Sequence, residues 1–184
     1  MRIVRCLSVI IGLVGFSGSG VCDQTDPRLG SLFEQLRAVT QPAEASSIEQ
    51  RIWSIWLKPQ NPAVEPLMQD GIDAMNRADY QTALEKFDQI VELAPQFAEG
   101  WNKRATVHYL LGNFEESLAD IDATLELEPH HFGALSGRGL VYIQLGDYEA
   151  ALSAFEDALE VSPLSAGPRA NARTLREVLG QRKI

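Results

Sequence analysis

Cysteine is almost absent: the chain of 184 residues has two, Cys6 and Cys22, both at its N-terminal end. A disulfide framework is thereby excluded for everything that follows them. Histidine is as scarce, with three residues, and no two of them stand at the i, i+4 helical spacing that holds zinc. The stretch Glu126-Leu127-Glu128-Pro129-His130-His131 is the metal candidate, but adjacent histidines in a turn are expected to be solvated, and no metal is assigned. A glycine-rich phosphate loop and a nucleophile motif are both missing, so the sequence supports neither catalysis nor a cofactor. Basic residues are also few, 16 Lys and Arg against 25 Asp and Glu. Arg2 and Arg5 are the only charges in residues 1–22, and residues 166–184 carry Arg169, Arg173, Arg176, Arg182 and Lys183 against Glu177. The body from 23 to 165 therefore stands at −15. That body lacks the basic footprint which phosphates require, so nucleic acid is excluded as a partner, and the acidity reads as a solvated surface.

Long apolar runs are missing too, with one exception. The uncharged stretch from Cys6 to Cys22 is at the lower edge of what spans a bilayer. It follows the positive "MRIVR" and ends in the small residues "SGSGVC". Residues 1–22 are therefore expected to be a signal peptide, cut near residue 21 to 23, and the protein to be exported to the periplasm or cell envelope. Retention as an N-terminal anchor is the alternative, and contact with a membrane is expected only through that uncleaved segment, if at all. A basic membrane-binding helix at 168–184 is disfavoured because its apolar face is short and lacks aromatics. Lipid on Cys22 is disfavoured because Ser19-Gly20-Val21 fits poorly the residues that usually precede such a cysteine.

What the sequence has is repetition. Pro95, Pro129 and Pro163 are evenly spaced, each closing a similar stretch, which divides the chain into units 64–97, 98–131 and 132–165. The third is the clearest, with Gly139, Tyr142, Ala151, Phe155 and Ala158 before Pro163; the second has Trp101, Ala105, Gly112, Phe114, Ile121 and Pro129, with Ser117 and Thr124 in alanine positions; the first has Leu67, Gly71, Tyr80, Ala83, Phe87 and Pro95. In its period and its residues this pattern closely resembles the tetratricopeptide repeat, a helical hairpin.

Each position has a physical reason. Small residues at Gly71, Ala105 and Gly139, facing Ala83, Ser117 and Ala151, let the two helices of a hairpin approach. Gly112 and Gly146 suit a left-handed turn between them. Leu84, Phe87, Leu118, Ile121, Leu152 and Phe155 fall three or four residues apart and share a buried face. Each proline stops its second helix and restricts the residue before it. One hairpin cannot bury its apolar faces alone, so the hairpins must stack. The expected fold is an all-α superhelix, an α-α solenoid of three helical hairpins over 64–165, with a C-terminal capping helix in 166–184 and an N-terminal helical extension over 23–63.

The cap is expected from Pro168 onward, with Ala172, Leu175 and Leu179 on one face and Arg169, Arg173 and Arg176 on another. In the extension, Ile48, Ile52, Ile55 and Trp56 form one stripe, widened by Trp53 and Leu57. Trp53 and Trp56 are either a hook for a partner or a cover over the repeats, and the cover is preferred because large exposed apolar patches are rare. The stripe Pro66, Asp70, Asp73 and Arg77 does not suit a preceding repeat, so the extension is expected to fold back over some other surface. His108 stands where the third unit has Tyr142 and is expected to pack; Trp101 is expected to be buried.

The resemblance further implies a non-catalytic module that binds a protein or peptide in a concave groove lined by the first helix of each unit. Carried over by repeat position, the lining is Met68, Ile72, Met75, Asn102, Thr106, Tyr109, Ser136, Leu140 and Ile143. Members that clamp a peptide carboxylate place Lys, Arg and Asn along this face, whereas here Met68 and Ile72 occupy such positions. The groove therefore suits a helical or extended apolar segment. The expected role is a bacterial adaptor or assembly factor of the envelope. The alternative is a self-assembling or membrane-tethered scaffold whose groove is filled by its own N-terminal helix.

Overall fold

The structure is a computed structural model that describes residues 24–181; the signal-peptide reading of residues 1–22 lies outside the described residues. Among the described residues every regular element is a helix: α1 (Arg28–Ala38), α2 (Pro42–Trp56), α3 (Val64–Asn76), α4 (Tyr80–Leu93), α5 (Ala98–Leu111), α6 (Phe114–Leu127), α7 (Phe132–Leu145), α8 (Tyr148–Val161) and α9 (Ala166–Gln181). The hairpins α3/α4, α5/α6 and α7/α8 begin at Val64, Ala98 and Phe132, the unit boundaries that the prolines define.

Local chemistry sets these ends. Asp79 and Asp147 cap α4 and α8, accepting hydrogen bonds from the Thr82 and Ala150 amides at 3.3 and 2.9 Å, which satisfies donors that a helix start leaves free. Ala94, Glu128 and Ser162, each followed by proline, leave the helical region at φ −140°, −138° and −129°, because the proline ring clashes with a helical residue before it. Gly112 and Gly146 close α5 and α7 in left-handed conformation, at φ 80° and 78°. The corresponding residue of the first hairpin is Ala78, which adopts φ 57° with a side chain in the way. A left-handed conformation costs an L-residue about 1–2 kcal/mol, partly offset in glycine by its greater chain entropy. Ala78→Gly is therefore expected to raise stability by about 0.5–1 kcal/mol, measured as a higher urea midpoint at unchanged slope.

Packing within a hairpin follows the repeat, with one correction. A Cβ built on Gly71 or Gly139 would lie 2.7 Å from the ring of Phe87 or Phe155. The glycines thus make room for an aromatic ring on the second helix, rather than simply facing the alanines at 83 and 151. In the second hairpin Ser117 donates its hydroxyl to the Ala105 carbonyl at 2.8 Å, so the serine in an alanine position is a buried cross-helix link. Ion pairs repeat on the same register. Arg104 is held by both carboxylate oxygens of Asp120, at 2.7 and 2.8 Å, and by Asp88 at 2.9 Å, while Arg138 pairs with Asp122 at 2.6 Å. The first hairpin runs the contact with charges exchanged, Asp70 to Lys86 at 3.6 Å. His108 is partly buried with Nε2 3.9 Å from Asp120.

The two ends of the stack differ. On α9, Ala172 and Leu175 are buried against Ala151 and Phe155, and Arg176 reaches Glu156 at 2.8 Å. At the other end Pro66, Asp70 and Arg77 face solvent. The N-terminal hairpin α1/α2 does not stack there. It folds back so that Leu32, Phe33, Leu36, Ile52 and Trp56 form one core with Phe132, Leu135, Ala158 and Val161 of the third hairpin. Across that contact the Ser162 hydroxyl donates to Glu49 at 2.6 Å. No helix among the described residues is long and apolar enough to cross a membrane.

Candidate functional site: the groove between α5 and α7

The structure distributes the nine groove residues over three places. Asn102, Thr106, Tyr109 and Leu140 meet around a recess of ≈ 70 Å³ between α5 and α7, with Ala105, Ile121, Gly137 and Val141 as its floor. Asn102 is buried and donates to Glu99 at 2.9 Å, Thr106 bonds its own helix at the Asn102 carbonyl, and the Tyr109 hydroxyl accepts from Gln144 at 3.4 Å. Ser136 is half-buried on the same helix as Leu140. Met68 is buried in the core of the first hairpin, where Ile72 and Met75 pack beside it. Ile143 turns toward α9, beside Tyr148 and Leu175. The polar side chains of the recess bond within the chain, so what it presents is mainly apolar surface, the lining that suits an apolar segment.

One end of the recess is closed by the N-terminal hairpin. Gly133 lines the recess and also lies against Trp53, where an added Cβ would stand 2.7 Å from the indole. The Lys103 ammonium sits over the Trp53 ring at 5.5 Å, a cation–π contact. Trp56 is enclosed, and its ring meets Trp53 edge-on at 5.3 Å. The tryptophans therefore cover Phe132, Gly133 and Leu135, not Met68 and Ile72. Trp101, in contrast, is only half-buried. Its indole donates to the Pro95 carbonyl at 2.9 Å, and the Arg104 guanidinium lies over its ring at 4.9 Å. The expectation that it is a buried core tryptophan is corrected.

Sequence reasoning missed the buried polar centre beneath Trp53. His131 is fully buried, not solvated. Its Nδ1 accepts from the Ala134 amide at 3.1 Å, capping α7, and its Nε2 lies 3.0 Å from Glu99. A bare Nδ1 that accepts from an amide leaves the proton on Nε2, which donates to the Glu99 carboxylate. Glu99 is itself buried and pairs with Lys103 at 3.0 Å. Burial pushes the Glu99 carboxyl up, but Lys103 and the His131 hydrogen bond outweigh it and hold the group below the usual carboxylate range. Trp56 stacks flat on the imidazole, 4.1 Å between centroids and 10° between planes. The repeat held a clue: His131 occupies the unit position that Phe97 holds one repeat earlier, also a buried residue at a helix start. His130 behaves as a turn residue should, exposed beside Glu128 and Phe33.

Comparison with known proteins agrees with this geometry. A tetratricopeptide repeat-containing protein of Rhizobium etli is 36% identical over 90 residues, 49% of this chain and 44% of that protein. The chain thus spans less than half the length of that relative. Among solved structures, the Sgt2 tetratricopeptide domain of Aspergillus fumigatus superposes with a TM-score of 0.64 at 23% identity, over 69% of this chain and 85% of that one. The first such domain of Spaghetti (RPAP3), bound to an HSP90 peptide, superposes with a TM-score of 0.61 at 20% identity, over 64% of this chain and 93% of that one. Two family profiles described as tetratricopeptide repeat match residues 69–124 and 118–180, together more than half of the sequence. With evenly spaced hairpins, glycine turns and proline stops in register, the chain belongs to the tetratricopeptide repeat family, whose domains mediate protein–protein interaction.

Proposed function

We propose that this protein is a non-catalytic adaptor or assembly factor of the bacterial periplasm or cell envelope, and that it binds a helical or extended apolar segment of a partner between α5 and α7. The recess lined by Thr106, Tyr109, Gly137 and Leu140 is the observation that carries this reading. The envelope location rests on the sequence of residues 1–22. The peptide-bound Spaghetti domain supports a peptide ligand as such. Met68 and Ile72, standing where a carboxylate clamp needs cations, argue for an apolar one.

Gly137→Phe is the direct test. Its nearest neighbour beyond its own helix is Ile121, 3.7 Å from an added Cβ, so a side chain enters the recess without a backbone clash. The variant is expected to fold, with a melting temperature close to that of the wild type, and to lose about tenfold or more in affinity for a partner captured by the wild-type protein, the effect of occluding one well-filled apolar pocket. Equal capture by both proteins would overturn the groove reading. A second reading, a self-assembling scaffold with a self-occupied groove, draws on Trp53 closing the recess at Gly133. It requires a concentration-dependent oligomer in sedimentation.

A further inference from the structure

The basic C-terminal segment of this acidic chain lines a second cleft, away from the recess between α5 and α7. Arg169, Arg173 and Arg176 stand at i, i+4 and i+7 of α9 and so share a face. They form a wall above an apolar floor that includes Pro42, Leu159 and Leu164, enclosing ≈ 620 Å³. The cleft exists because of the fold-back: Pro42 comes from the start of α2, Leu159 from α8, and Leu164 from the turn into α9. Arg176 is paired with Glu156. Arg169 and Arg173 are exposed and have no carboxylate partner among the described residues, although the chain has 25 acidic residues to 16 basic ones. Arginine is suited to such a wall, since its planar fork binds carboxylates in pairs.

We propose that this cleft binds an acidic, leucine-bearing peptide segment of a partner protein, with its carboxylates on Arg169 and Arg173 and its apolar side chains on Leu159 and Leu164. The arginine wall is about 10 Å long, which accommodates three or four residues of extended chain. Charge complementarity selects an anionic ligand, and the apolar floor selects one with aliphatic side chains, which a free inorganic anion lacks. Concavity selects a peptide over a bilayer. A membrane surface needs protruding apolar side chains beside the cations, whereas among the described residues the exposed large ones, Leu57, Leu93, Leu110, Leu111 and Leu145, belong to other parts of the molecule.

The test uses the full chain and a fluorescein-labelled peptide of alternating Glu and Leu, read by anisotropy. Saturable binding that weakens steeply with salt is expected, because the contacts are made by exposed charges. Arg169→Glu and Arg173→Glu are each expected to weaken it about tenfold, the effect of one charge-assisted contact. Both sites are exposed, so the melting temperature should hold. Gly137→Phe should leave this binding unchanged, which separates the cleft from the recess. The proposal is overturned if the peptide fails to saturate the protein, if charge reversal leaves the affinity unchanged, or if the lysine-for-glutamate peptide binds equally. It is also overturned if phosphatidylglycerol vesicles or inorganic phosphate displace the peptide and bind more tightly, which would assign the arginines to a lipid surface or a free anion.

Discussion

Trp56→Ala is expected to destabilise the protein by about 3–5 kcal/mol, the usual loss when a large buried ring is removed from a packed core. The ring is 1% exposed, lies flat on His131, and meets Phe132 at 5.1 Å and Phe33 at 6.1 Å. With Phe33, Leu36 and Ile52 it is one of the side chains through which the N-terminal hairpin holds the third repeat. For a chain of this size the loss corresponds to a fall in melting temperature of roughly 10 °C, readily followed by circular dichroism. Trp56→Phe should cost far less. It keeps most of the apolar contact and removes an indole N–H that is buried with no hydrogen-bond partner among the described residues. Loss of the hairpin would bare Phe132, Leu135 and Val161, so Trp56→Ala should also bind a hydrophobic dye before the repeats melt. Wild-type melting in Trp56→Ala would mean that α2 is not docked on the third repeat in solution. Fluorescence offers a companion measurement, in which Trp56 should resist quenching while the half-buried Trp101 should not.

The second large effect is expected at Glu99. Glu99 is the buried member of a charged pair whose other member, Lys103, is 23% exposed. The loss is therefore expected at about 2–3 kcal/mol, from buried donors left without an acceptor, below the about 3–5 kcal/mol of a fully buried pair. In Glu99→Ala, the His131 Nε2 proton and the Asn102 amide lose their acceptor, and Lys103 loses its counter-ion. The pH dependence has a definite sign. The folded carboxyl is held below its unfolded value of about 4.3, so the unfolded state binds the proton more readily. Its contribution to stability is complete above that pH and fades as the pH falls through the lower folded value. Urea unfolding measured between pH 6 and 3 should show this loss in the wild type. Glu99→Gln keeps the shape and one acceptor without a titrating group, so it should be less stable at neutral pH and flatter toward acid. A wild-type acid slope retained in Glu99→Gln would assign that slope to other carboxylates.

The groove shows how a correct register can still misplace a site. By repeat position, Met68, Ile72 and Met75 belong with Asn102, Thr106 and Leu140, and the helices that carry them are where the register puts them. Yet the first hairpin draws its methionines into its own core, while the third turns Ile143 toward α9. Repeat position fixes which helix carries a side chain and roughly which way it faces. It does not fix how far neighbouring hairpins close over it, because that depends on contacts between units.

The sequence by itself determined the hairpins. Helix starts, glycine turns and proline stops are decided by residues within about four positions of one another, and three copies of the same arrangement made the pattern unmistakable. It also determined that α1/α2 could not stack as a further repeat, since Pro66, Asp70 and Arg77 present no apolar face to receive it. Only the tertiary structure decided where that hairpin goes. Its destination is a surface that Phe132, Leu135, Ala158 and Val161 create once α7 and α8 have packed, several helices further along the chain. The two histidines mark the division most clearly. His130 and His131 are neighbours of identical chemistry, yet one is exposed and the other is buried against Glu99 and Trp56. Those partners sit on α5 and α2, distant in sequence from the start of α7. No local rule reaches that far, because burial belongs to the assembled stack and not to the residue.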